Sequence, residues 1–125
     1  MDNKIKLNFL AGVQVENKIF FSAWNMNGLF EYNPKTEECN FLKIFPGEED
    51  WGLHSEAVLY QNTIWFIPRA SERIAIFHLK NMDISYLDLP RDGYRAGEHI
   101  PPMRMKAFYK EGDKNLWLLP FVYIL

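Results

Sequence analysis

The chain has 125 residues, of which 48% are hydrophobic and 16% aromatic, enough apolar material for the core of one domain and too much for disorder. Its 14 basic and 16 acidic side chains nearly cancel, to a net charge of -2, and lie scattered along the chain. That pattern excludes the electrostatic footprint of a protein that binds nucleic acid or an anionic membrane.

The N-terminal stretch "MDNKIKLNFLAGVQVENK" carries only a short apolar run broken by lysines, so no signal peptide is expected. The segment "NKIFFSAWNMNGLFEYNP" follows, and its pattern returns further along as "NTIWFIPRASERIAIFHL". Sliding the chain against itself places Ile19 on Ile64 (64 - 19 = 45) and continues without a gap, matching Val13 to Val58, Phe21 to Phe66, Leu42 to Leu87 and His54 to His99. Identities number 8 over positions 13 to 54, where ordinary residue usage gives roughly two or three. The single cysteine, Cys39, lies in the first copy near a turn, excludes an internal disulfide framework and fits a reducing, cytoplasmic setting.

In the second copy, four short runs rich in β-branched and aromatic residues predict strands at 56–60, 63–68, 73–79 and 83–89, separated by polar turns such as "QNT" and "LKNMD". Runs such as "IWFI" and "IAIF" are apolar on both faces, which predicts a sheet covered from both sides. A third copy begins at "KNLWLLP", with Trp117 on Trp65 and Pro120 on Pro68 at a spacing of 52 (117 - 65 = 52). The terminal run "LWLLPFVYIL" is about half the length of a membrane span, so no transmembrane helix is expected.

Four antiparallel strands recurring at about 45 residues are the pattern of β-propeller blades. With its "IWFIP" core, the chain resembles bacterial propeller repeats of the broad kelch and galactose-oxidase-like kind. The paired glycine of kelch blades and the WD dipeptide of WD40 blades are absent, so the resemblance implies the fold and no catalytic residue. The expected architecture is all-β: one partial propeller over 1–125, with blade 1 at about 8–45, blade 2 at about 55–90 and an incomplete blade 3 at about 104–125. Closed propellers have about four to eight blades. Two and a half therefore imply a truncated coding sequence, a ring completed by other copies of the chain, or a short open stack.

Alternation of strand direction gathers the longer loops at one end: 22–28, 45–54, 68–73 and 90–102. Loops of this kind on a rigid scaffold are where binding residues concentrate. Trp24, Trp51, Arg69, Tyr94 and Arg95 are expected there as an aromatic and basic platform for a protein or glycan. His54 and His99 share one repeat phase and are expected near the mouth of a central channel, either as ligand-binding groups or as repeat-encoded hydrogen bonds that anchor a loop. Phe20, Trp65 and Trp117 recur in mid-strand and are expected to pack between blades. The acidic run Glu48, Glu49 and Asp50 reads as a solvated stretch. No catalytic triad, phosphate loop or metal-ligand spacing is present in the sequence, and no cofactor or metal is expected. The reading is therefore a non-catalytic binding or scaffold module, a possible homo-oligomer, with no nucleic-acid or membrane partner. The alternative is part of a propeller lyase or hydrolase with channel-mouth histidines.

Overall fold

The alternating apolar runs fold as strands throughout the computed structural model, which describes residues 6–89, 105–112 and 114–120. Among these residues there are ten β-strands and no helix. Strands β1 (Phe9–Val15), β2 (Lys18–Ala23), β3 (Leu29–Asn33) and β4 (Glu38–Lys43) form sheet 1 in sequential order. Strands β5 (His54–Tyr60), β6 (Thr63–Pro68), β7 (Arg73–His78) and β8 (Asp83–Asp88) form sheet 2 in the same order, and β9 (Met105–Glu111) pairs with β10 (Asn115–Pro120). Every pairing is antiparallel. The strands expected in the second copy appear with small shifts of their ends, the largest at β5, which begins at His54 rather than 56. None of the described helices is long and apolar enough to cross a membrane, since none is present.

The repeat is carried by backbone geometry as well as by residue type. Val13 pairs with Phe20 in sheet 1 as Val58 pairs with Trp65 in sheet 2, and Ile19 with Tyr32 as Ile64 with Phe77. The ladder is interrupted at equivalent places, between Phe9 and Ala11 and between His54 and Glu56. The hairpin β9–β10 repeats that irregularity, with Met105 opposite Pro120 where His54 stands opposite Pro68. The turns recur too. Glu16 and Gln61 have φ of 55° and 45°, and Glu37 and Met82 have φ of 60° and 63°. Gln61 and Asn62 both lie at positive φ between Tyr60 and Thr63, the two-residue form whose twist matches that of the flanking strands.

Period-two alternation gives each sheet two apolar faces. One face of sheet 1 presents Ala11, Phe20 and Leu29 to Ile64, Phe66, Ala75 and Phe77 of sheet 2, and Phe45 and Leu53 from the β4–β5 connection complete this core. The Phe20 and Phe77 rings meet across it at 5.9 Å. Strands β1 and β5 lie side by side where the two sheets meet. The far face of sheet 2 gathers Ile67, Ile74 and Leu89, with Leu118 of β10 packed against them. Two polar staples add to that contact: the Lys110 ammonium donates to the Leu59 carbonyl at 3.1 Å, and the Tyr60 hydroxyl donates to the Lys114 carbonyl at 2.9 Å. Trp65 packs in this second cluster as expected, but Trp117 does not fill a seam, and its ring is exposed.

Candidate functional site

Three of the longer loops meet at the end of the sheets opposite the tight turns. Asn27, in the β2–β3 loop, fastens the long β4–β5 connection to sheet 1. Its side-chain oxygen accepts from the Phe45 amide at 2.8 Å, and its nitrogen donates to the carbonyls of Phe45 and Glu48, each at 3.1 Å. The connection is fastened to sheet 2 by Glu48, whose carboxylate meets the Arg73 guanidinium at 3.0 Å and accepts from the Ser71 hydroxyl at 3.0 Å. Arg73 also lies 3.7 Å over the Tyr86 ring, and the Tyr86 hydroxyl donates to the Pro46 carbonyl at 2.7 Å. Burial pushes that phenol up to about 12, with Arg73 opposing the shift and Glu48 adding to it, so it remains a donor at neutral pH. Glu48 is thus a structural anchor rather than part of a solvated run.

On this frame the structure brings Trp24, Trp51 and Arg69 together. Trp24 and Arg69 hold equivalent positions, the first residue after β2 and the first after β6 (69 - 24 = 45). Their backbone amides make equivalent bonds, to the Asn8 carbonyl at 2.7 Å and the Leu53 carbonyl at 2.6 Å. The two side chains then lie against each other, with the guanidinium 4.1 Å from the centre of the Trp24 ring, a cation–π contact. Arg69 also donates to the Gly52 carbonyl at 3.1 Å. Trp51 meets Trp24 edge to face, at 5.8 Å and 86°, and remains 58% exposed.

Gly52 makes this packing possible. Its φ is +62°, and a Cβ there would stand 3.0 Å from both the Arg69 guanidinium and the Trp24 ring. A side chain would be strained in its backbone and would push the stack apart. Trp24, Trp51, Arg69, Asp50 and Ala70 line an open cleft of about 350 Å³. A larger, acidic cleft of about 500 Å³ shares Asp50 and Ala70 with it and runs past Glu49, Glu72 and Asp88.

His54 is not at a mouth. It is 0% exposed, its ring lies 4.5 Å from that of Phe45 and 5.2 Å from that of Phe66, and Nδ1 shares a 2.8 Å hydrogen bond with the Ser22 hydroxyl of sheet 1. Of the two expectations for His54, a ligand-binding group or a hydrogen-bonding anchor, the placement favours the anchor: its position in β5 points it into the seam between the sheets, where sheet 1 covers it. Burial lowers its pKa from 6.5 to about 3, and its Nε2 has no partner. Tyr94, Arg95 and His99 lie outside the described residues. Cys39 is exposed at the start of β4, at the turn end, with burial raising its thiol somewhat. Among the described residues no three His, Cys, Asp or Glu side chains are grouped so as to hold a metal ion.

Sequence reasoning missed Asn27, Gly52 and the Ser22–His54 bond. Asn27 and Gly52 sit inside loops that the strand count had marked, but neither residue type signals its own contacts. Comparison with protein-family models, with curated proteins and with solved structures returned no match.

Proposed function

We propose that this chain is a non-catalytic binding or scaffold module, a partial β-propeller of the kelch-like kind that engages a protein or glycan through the loop end of its sheets. The recurring pairing, with its equivalent turns and ladder irregularities, supports reading each sheet as a blade. The observation that carries the binding reading is the cleft between Trp24, Trp51 and Arg69. Its volume lies at the small end of the usual range for ligand sites, about 300–1,000 Å³, enough for one sugar ring or one large side chain. The exposed face of Trp51 offers a flat apolar platform, and Arg69 and Asp50 supply a donor and an acceptor beside it. Tryptophan and arginine in such a setting carry much of the affinity of known interfaces.

The enzymatic alternative, a lyase or hydrolase with two histidines at a channel mouth, loses His54 to the seam between the sheets. The test is a screen of the purified chain against a glycan array and a peptide library, with titration calorimetry of each hit on Trp51→Ala and Arg69→Ala. The expected result is a loss of at least about tenfold in affinity for each variant, the scale of one hot-spot side chain. Unchanged affinity of both variants for every hit would remove this end of the molecule from the reading.

A further inference from the structure

Asn27 and Gly28 form a chemically labile pair that the fold has two separate reasons to keep. Of the chain's asparagines, Asn27 alone stands before a glycine. Its side chain fastens the β4–β5 connection: Nδ2 donates to the carbonyls of Phe45 and Glu48, each at 3.1 Å, and Oδ1 accepts from the Phe45 amide at 2.8 Å. Gly28 is held to its type by space. A Cβ there would stand 2.7 Å from Cε2 of the Phe30 ring and 3.3 Å from the Phe41 ring, and Phe30 is itself buried. Only glycine allows so close an approach. The lack of a side chain also leaves the Gly28 amide nitrogen unscreened from Cγ of Asn27. Among the described residues, nothing accepts a hydrogen bond from that amide.

We propose that Asn27 is a deamidation site of this chain, and that its conversion is a one-way release of the β4–β5 connection. The deprotonated Gly28 nitrogen attacks Cγ of Asn27. The new N–Cγ bond replaces the Cγ–Nδ2 bond, and Nδ2 leaves as ammonia with the proton that Gly28 gave up. One water then opens the cyclic imide at either of its carbonyls, giving aspartate in the ordinary linkage or isoaspartate with the chain rerouted through Cγ. No electrons are exchanged. Either product carries a carboxylate, which accepts and cannot donate, whereas Nδ2 had donated to two carbonyls. Acceptor then faces acceptor, and the fastening is lost. Trp51 and Gly52 follow on the same connection, so the packing of Trp51 and Arg69 on Trp24 loosens with it. While the chain is folded the same three bonds hold the Asn27 amide in place, so the reaction waits on local opening. The inference stands on the contacts of Asn27 and does not depend on what the loop-end cleft binds.

The experiment is peptide mapping by mass spectrometry of the purified chain, aged at several pH values from neutral to mildly alkaline. Conversion should appear first at Asn27, quicken as pH rises, and yield isoaspartate together with aspartate. It should run at least about tenfold faster in guanidinium than in the folded chain, because unfolding removes the opening step. Urea unfolding and tryptophan emission of the separated, converted chain measure the release. Its ratio of folded to unfolded molecules should fall at least about tenfold, the scale of a lost hydrogen bond that leaves partners unsatisfied, and its emission spectrum should shift. Asn27→Asp should reproduce both changes without ageing. Asn27→Gln keeps an amide but must close a larger ring, and should stay unconverted over the same period. Earlier conversion at another asparagine overturns the proposal, as does aspartate without isoaspartate. So does a converted chain with the stability and emission of the fresh one.

Discussion

Phe9 and His54 occupy the same place in two copies of one repeat, each opening the first strand of a four-stranded sheet and each opposite the last residue of the second strand. The phenylalanine stands 54% exposed, whereas the histidine is sealed in and bonded to Ser22. Nothing in the local backbone separates them. The difference arises because sheet 1 lies against the face that carries His54, while no described residue covers the rim that carries Phe9. The burial of a repeat position is therefore decided by the neighbouring unit, and the polarity a position tolerates follows from that. The seam accommodates an imidazole only because Ser22 reaches it from the facing sheet and because burial keeps the ring neutral.

The comparison is broken most severely at Phe77, which is buried in the seam, and at its counterpart Tyr32 on the outer face. Phe77→Ala should cost about 3–5 kcal/mol, the usual loss for emptying a well-packed aromatic site, and Tyr32→Ala should cost clearly less. Urea unfolding of the two variants measures the gap, and equal losses would show that the faces are not differently covered. Ser22→Ala comes next. It leaves both nitrogens of a buried imidazole without a partner and should cost about 1–3 kcal/mol, again by urea unfolding. The smallest effect is expected at Gly52, whose counterpart in the first copy is Leu7 (52 - 45 = 7). Gly52→Ala should cost about 1 kcal/mol through its positive φ, and should change the tryptophan emission spectrum as Arg69 and Trp24 are displaced.

Much of the fold was legible from the sequence because strand period, turn residues and the 45-residue offset are all local signals. The second-copy strands were placed within two residues of their ends, and the misplaced start of β5 falls where the ladder slips between His54 and Glu56, so alternation fails there. The loop end was legible because loop length follows from counting strands, which put Trp24, Trp51 and Arg69 in one region. Their stacking was not legible. Trp24 and Arg69 share a repeat phase but differ so completely in chemistry that no match of residue types connects them. Between a ligand group and a hydrogen-bonding anchor the sequence could not choose for His54, since a residue bordering a loop looks accessible until the facing sheet is in place. Trp117 failed in the opposite sense: its phase is a packing phase, yet its ring is exposed.

The most direct test of the stacked sheets is a titration of the His54 ring by nuclear magnetic resonance, with His54→Gln used for assignment. Its folded pKa is lowered, to about 3 from 6.5, so the unfolded chain binds the proton first. The stability that depends on a neutral ring is intact above 6.5 and is lost as pH falls from there toward 3, at up to about 1.4 kcal/mol per pH unit. The account predicts that the His54 signals do not titrate while the chain remains folded on acidification from neutral pH. A midpoint near 6.5 in the folded protein would contradict it, because a ring in ordinary contact with water cannot lie in a seam between two sheets.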